Sequence, residues 1–176
     1  FVIDIGATDK KETEKRVKVG DFASTVSHLE HLSGSFYSGR PFDDRIGCAI
    51  MVRAAQTLKD CKNDTWFVFT TQEEVGCRGA KTAAYGIMPD FSLAFDVTGS
   101  GDGPKSRPMA VSLGKGAAVK VKDSSVICDS GFVRCLMDLS KEKKIPAQLE
   151  ILVGGGTDTC SMQVAGWGSR ASAISE

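Results

Sequence analysis

Two neighbouring carboxylates, Glu73 and Glu74, stand in Thr71-Gln72-Glu73-Glu74-Val75, directly after the apolar run Trp66-Phe67-Val68-Phe69-Thr70. Such a run reads as a buried strand, and charges at its mouth are costly unless a cation or a reaction uses them. In open α/β sheets, ligands sit outside the strand ends. Successive strand side chains point to opposite faces, so the two acids suit separate jobs: one to bind a metal, the other to handle a proton. Three further acidic positions fall at predicted element ends. Asp43 precedes a helix, Asp96 ends a strand, and Asp158 starts a helix after Gly154-Gly155-Gly156. Parallel strands would bring these ends to one rim, where carboxylates repel unless a divalent cation lies between them. The chemistry predicted is metal-dependent hydrolysis with two zinc or cobalt ions, spaced ~3.5–4 Å and bridged by one carboxylate.

Each residue also has a plainer use. Asp43 or Asp44 serves as an N-cap, and so does Asp158. Glu73-Glu74 forms a solvated turn. Asp96 is harder to place so, because strands disfavour Asp. A glycosidase built on Glu73 and Glu74 is disfavoured, since adjacent side chains facing opposite ways do not flank one glycosidic bond easily. The triple glycine lacks the spacing of a phosphate-binding loop and reads as turn geometry or as a close approach to substrate. His28 and His31, the two histidines of the chain, lie in a Ser- and Gly-rich stretch that reads as solvated surface. Arg45, Arg78 and Lys115 are read as partners for carboxylates or carbonyls near the rim.

The elements that must position these groups follow from periodicity. A strand over 1–6 is followed by a short charged helix from Asp9 to Arg16, opened by an Asp9/Glu12 capping box. Residues 23–40 carry short β-like pieces, so the opening section reads as the end of a small β domain and its link. From Pro41 the pattern predicts a helix from Asp43–Asp44 to about Lys59, a strand over 65–71 and a helix over 78–85 stopped by Gly86 and Pro89. A strand over 91–96 comes next, then paired strands 109–113 and 117–121, and a helix over 130–144 with Phe132, Val133, Leu136, Met137 and Leu139 inward. Strands over 148–153 and 170–175 complete the pattern. Strand–helix alternation of this kind argues for an α/β fold with a largely parallel or mixed sheet covered by helices. Both ends of the chain fall within strand-like runs, which predicts a piece of a longer protein.

Composition sets the remaining bounds. The chain has 176 residues, 41% hydrophobic and 25% charged, with 22 basic against 22 acidic side chains. That size holds a sizeable core. The zero net charge argues against nucleic acid or an anionic membrane as partner, and no apolar run reaches bilayer length. Six cysteines without a Cys-x-x-Cys pair read as reduced, buried thiols of a cytoplasmic protein.

The motifs Phe42-Asp43-Asp44-Arg45-Ile46-Gly47, Thr71-Gln72-Glu73-Glu74-Val75-Gly76-Cys77-Arg78-Gly79-Ala80, Ala94-Phe95-Asp96-Val97-Thr98, Leu113-Gly114-Lys115-Gly116 and Gly155-Gly156-Thr157-Asp158 occur in this order. With them the chain closely resembles the glutamyl aminopeptidase or tetrahedral aminopeptidase family of dinuclear metallopeptidases, over nearly its whole length. The resemblance implies a three-layer, zinc-peptidase-like catalytic domain, partial here and covering 39–176, preceded over 1–38 by the end of an inserted β-barrel domain that serves oligomerisation. It implies Asp43 as the bridging carboxylate, Glu74 and Asp96 as ligands of one metal each, Glu73 as general base, and Gly156, Thr157 and Asp158 lining the substrate site. The implied substrates are peptides with a free N-terminus, and the implied assembly is a homo-oligomer as large as a dodecamer. Each metal of the family also has a histidine ligand, at places where His28 and His31 do not fall. That departure raises a rival expectation: the 176 residues alone form an inactive piece of such an enzyme. The looser matches at 101–104 and 165–168 leave the preferred N-terminal residue open.

Overall fold

The computed structural model describes residues 2–176 and divides into two units, Phe1–Arg40 and Pro41–Glu176. In the first unit, helix α1 (Lys10–Arg16) is capped by Asp9, whose side chain accepts from the Glu12 N–H. The reciprocal half of the expected capping box is displaced by one residue, because Glu12 binds the backbone and hydroxyl of Thr8. Strands β1 (Glu30–His31) and β2 (Tyr37–Ser38) form a two-residue antiparallel ladder. The opening strand expected over 1–6 is absent from residues 2–6, and Phe1 lies outside the described residues. Val2 is 97% exposed, and an apolar run without a neighbouring strand has no ladder to join. Among the described residues of this unit there is no barrel.

The second unit opens with α2 (Arg45–Thr57) and α3 (Arg78–Ile87), followed by β3 (Phe91–Asp96), β4 (Ala117–Lys122), α4 (Ser130–Lys143), β5 (Ala147–Ile151), α5 (Thr159–Gln163) and β6 (Arg170–Ser175). The sheet order is β3-β6-β4-β5, with β3/β6 and β4/β5 parallel and β4/β6 antiparallel. The fold is therefore mixed α/β. Register places Asp96 beside Ser175. Consecutive residues Ala171, Ser172 and Ala173 of β6 are fully buried, the mark of a central strand covered on both faces. Their small side chains let the covering elements come close, as do Ala80 and Ala84 on α3. A core of Val119, Val126, Cys128 and Val133 takes Leu136, Met137 and Cys160 against it. Leu139, expected inward, is 46% exposed.

Three expectations fail for identifiable reasons. The run 65–71 joins no ladder among the described residues, and Trp66 and Phe69 are 68% and 51% exposed. Residues 109–113 do not pair with β4. Instead Val111 accepts from the Gly101 N–H, while the Gln148 amide bonds both to Ser112 and to Gly116, so β4 is free to take β5 as partner. Helix α3 runs past Gly86, because Met88 adopts the left-handed conformation that ends it. Of the cysteines, Cys77 and Cys128 are buried, whereas Cys48, Cys61 and Cys135 are exposed.

Candidate metal centre

Glu73 is held by a folded-back loop. The carbonyl of Thr71 accepts from Gly79 N–H, that of Gln72 from Arg78, and that of Glu73 from both Gly76 and Cys77. Closing so tight a loop takes Gln72 and Cys77 into left-handed backbone, φ 59° and 51°. Conformations of this kind are sparsely populated and persist where surroundings over-determine them, often at functional sites. Gly79 is required by contact: a Cβ there would lie 2.5 Å from the Thr71 nitrogen. Cys77, immediately before α3, donates its thiol to Glu73 Oε1 at 3.5 Å.

Asp43 and Asp44, joined by a cis peptide bond, lead into α2. Asp44, not Asp43, is the cap, accepting from the Gly47 N–H at 3.1 Å. Asp96 closes β3 and accepts the Val97 N–H at 2.8 Å. Asp158 precedes α5 without capping it. Its Oδ2 accepts the Thr70 hydroxyl at 2.6 Å, while its buried Oδ1 has no partner.

Electrostatics show that these groups converge. Burial, with Glu73, Asp44 and Asp43 nearby, lifts Asp96 to about 7 against the accepting bond from Val97. Burial also raises Glu73, opposed by the Cys77 thiol and assisted by Asp158, Glu74 and Asp43. Asp44 rises through burial with Asp43 and Asp158 beside it, and Glu176 rises to about 7 through burial, Asp44 and Asp96. The neighbouring charges that raise these four carboxyls are all carboxylates, and among the described residues none of the four forms a salt bridge with a basic side chain. Arg78 donates to the side-chain carbonyl of Gln72 at 3.3 Å, the carbonyl half of its expected role, and to none of these carboxylates.

Asp96, Asp43 and Asp158 thus lie within electrostatic reach of Glu73, whereas Glu74 acts only on its neighbour Glu73; Asp43 and Glu74 are exposed, Glu73 and Asp96 half-buried. Within that region, the group tight enough to share an ion is Glu73, Cys77 and Asp158, whose ligand atoms lie within 4.8 Å of one another. Asp43, Glu74 and Asp96 form no such group among the described residues. The donor set nonetheless fits a divalent ion, being hard oxygens with an orphaned buried carboxylate oxygen at Asp158. Of the residues expected to line the substrate site, Gly156 is exposed and Asp158 half-buried. Thr157 is 2% exposed and spends its hydroxyl on Thr159 at 2.9 Å. A Cβ at Gly156 would meet the Ser125 hydroxyl at 2.7 Å, so the glycine there answers a close approach within the chain.

A buried charge hub behind the rim was not foreseen. Lys120 on β4 pairs with Glu150 on β5 at 2.7 Å, both at 0% exposure, with Asp123 at 3.9 Å. Glu150 also accepts from Thr98 and from Ser175, each at 2.7 Å. One carboxylate therefore ties together segments that flank Asp96 and Glu176. Asp123 takes three donors from Ser125 and Val126, and Ser124 donates to the Gly155 carbonyl, so the hub also reaches the glycine loop. The lone signal was Lys and Glu inside apolar strand patterns, which alternation assigns to solvent as readily as to the core.

All 176 residues match the sequence profile described as M42 glutamyl aminopeptidase. A putative aminopeptidase of Acetivibrio thermocellus is 47% identical over 98% of this chain and 52% of its own length. The aminopeptidase structure from the archaeon Desulfurococcus kamchatkensis superposes with a TM-score of 0.91 at 37% identity, covering 98% of this chain and 50% of that one. The Pyrococcus horikoshii TET1 peptidase, described as assembling into a tetrahedron or a large octahedral shell, gives 0.80 at 34% identity over 98% and 51%. The chain thus spans about half the length of the relatives it matches. A profile matched from end to end, on a sheet whose strand ends carry this acidic rim, makes the chain a member of the M42 glutamyl aminopeptidase family, a metal-dependent aminopeptidase family.

Proposed function

We propose that this chain carries part of the active site of a metallo-aminopeptidase that releases N-terminal residues from peptides. The observation that carries the reading is the acidic rim, in which half-buried carboxylates raise one another's affinity for protons and one buried oxygen of Asp158 is unpartnered. Asp43, Glu74 and Asp96 would hold two divalent ions, zinc or cobalt. Bound ions of this kind supply Lewis acidity and a water that ionises near neutral pH. Glu73 takes the water proton and returns it to the leaving amine; its raised affinity for a proton suits that exchange. Oε1 accepts the Cys77 thiol, which leaves Oε2 for the water. Free carboxylate charge at the rim favours the ammonium group of a peptide N-terminus. Gly156 and Asp158 border that space. Residues 1–38 contribute to an oligomerisation domain, and assembly as a homo-oligomer follows the TET1 peptidase. The setting is cytoplasmic.

Glu73→Gln in the full-length enzyme tests the reading. Turnover falls by ~10²–10⁴-fold while metal content stays near wild type; turnover that survives removes Glu73 as the base. A second reading, that the 176 residues alone form an inactive piece, rests on the histidines, since His28 and His31 do not fall at the family's ligand positions. Metal analysis separates the two, since two ions held tightly by residues 1–176 would sink the second.

A further inference from the structure

Cys77 and Cys160 sit 83 positions apart in sequence, yet their sulfurs are in contact at 3.8 Å. Cys77 opens α3 and Cys160 lies in the first turn of α5, two helices that pack on each other. Among the described residues no other pair of thiols is in hydrogen-bond contact, although the chain holds Cys48, Cys61, Cys128 and Cys135 besides. Cys160 is partly exposed and Cys77 is buried. An oxidant in solution therefore reaches Cys160 first, and Cys77 lies where it can resolve the product. Cys77 also donates its S–H to Glu73 Oε1, so any chemistry at this sulfur is felt at that carboxylate.

We propose that Cys77 and Cys160 form a dithiol modification site, which a low-molecular-weight disulfide such as oxidised glutathione converts to a Cys77–Cys160 disulfide, removing the hydrogen-bond donor of Glu73. The exchange balances. Cys160 loses its proton and attacks one sulfur of glutathione disulfide, forming a mixed disulfide and expelling one glutathione thiolate. Cys77 loses its proton and attacks the Cys160 sulfur of that intermediate, expelling the second. The two protein sulfurs give up two electrons, glutathione disulfide gains them, and the two protons finish on two glutathione thiols. The effect on catalysis rests on Glu73 as general base; formation of the disulfide does not.

The native full-length protein is treated with glutathione disulfide, its remaining thiols are alkylated, and its peptides are mapped by mass. The expected product is a Cys77–Cys160 cross-linked peptide lighter by two hydrogens, with Cys48, Cys61, Cys128 and Cys135 recovered free of cross-links. A stable glutathione adduct on Cys160, or Cys77 and Cys160 both recovered alkylated, overturns the site. Peptidase activity should fall at least ~10-fold with cross-linking and return with dithiothreitol, since a hydrogen bond to a charged group is worth ~1.5 kcal/mol or more, about a factor of ten in rate. Cys160→Ser and, should serine disturb the core, Cys160→Ala should keep basal activity and ignore the oxidant. A cross-link that forms with activity unchanged overturns the control over Glu73 and leaves the disulfide standing.

Discussion

Replacing Asp96 by Asn should stabilise the metal-free chain at alkaline pH and do little at acidic pH. Burial, then Glu73, Asp44 and Asp43, raise this carboxyl from 3.8 to about 7. The folded state therefore binds a proton more tightly than the unfolded chain. Below pH ~4 both states carry the proton and the stabilisation is fully present; it is lost as pH rises through 7, because folding then keeps a charge among like charges. A gap of just over three units is worth ~4 kcal/mol at ~1.4 kcal/mol per unit. Asp96 is only half-buried, so solvent screening reduces this to ~1–2 kcal/mol. Asparagine keeps the acceptor for the Val97 N–H and does not ionise. Urea unfolding with EDTA present, followed by circular dichroism, should show Asp96→Asn gaining ~1–2 kcal/mol over wild type at pH 8, or ~3–6 °C in Tm. At pH 4.5–5 the gain should shrink toward zero. Zinc or cobalt at pH 8 should reverse the order, stabilising wild type by mass action and the variant less. An equal change at both pH values, or a loss at pH 8, would refute the claim that the rim is an uncompensated cluster of acids.

Lys120→Met should cost ~3–5 kcal/mol in the same unfolding assay, because Glu150 and Asp123 then stay buried without their cation. Lys120→Met/Glu150→Gln should recover more than half, and a single variant within ~1 kcal/mol of wild type would show that the hub is not an ion pair that matters. Gly79→Ala forces its Cβ onto the Thr71 backbone; a loss of ~1–3 kcal/mol is expected, and a crystal structure with the 71–79 loop unmoved and full stability would contradict the contact.

Much of the second unit is legible from local pattern. The limits of β3 and β6 follow from short apolar runs bounded by turn residues, and α4 from its period, while the Asp129 cap that opens it appears only in the structure. The motif acids were legible too, because Asp or Glu next to an apolar run is conspicuous on any pattern. What the pattern does not hold is partnership. Trp66–Thr70 has the composition of a strand, but a ladder needs a neighbour's N–H and C=O groups, and residues 109–113 find side-chain and loop partners instead. Cys77 was invisible as a functional residue, since only the 71–79 fold-back and the packing of α5 place its sulfur between Glu73 and Cys160. Lys120 and Glu150 were equally hidden, because their burial depends on registering β4 with β5. By itself the sequence determined which side chains could bind a cation or move a proton, as that is set by residue chemistry. The tertiary structure alone decided how strongly those carboxylates act on one another, since charge interactions depend on distance and burial between segments far apart in the chain.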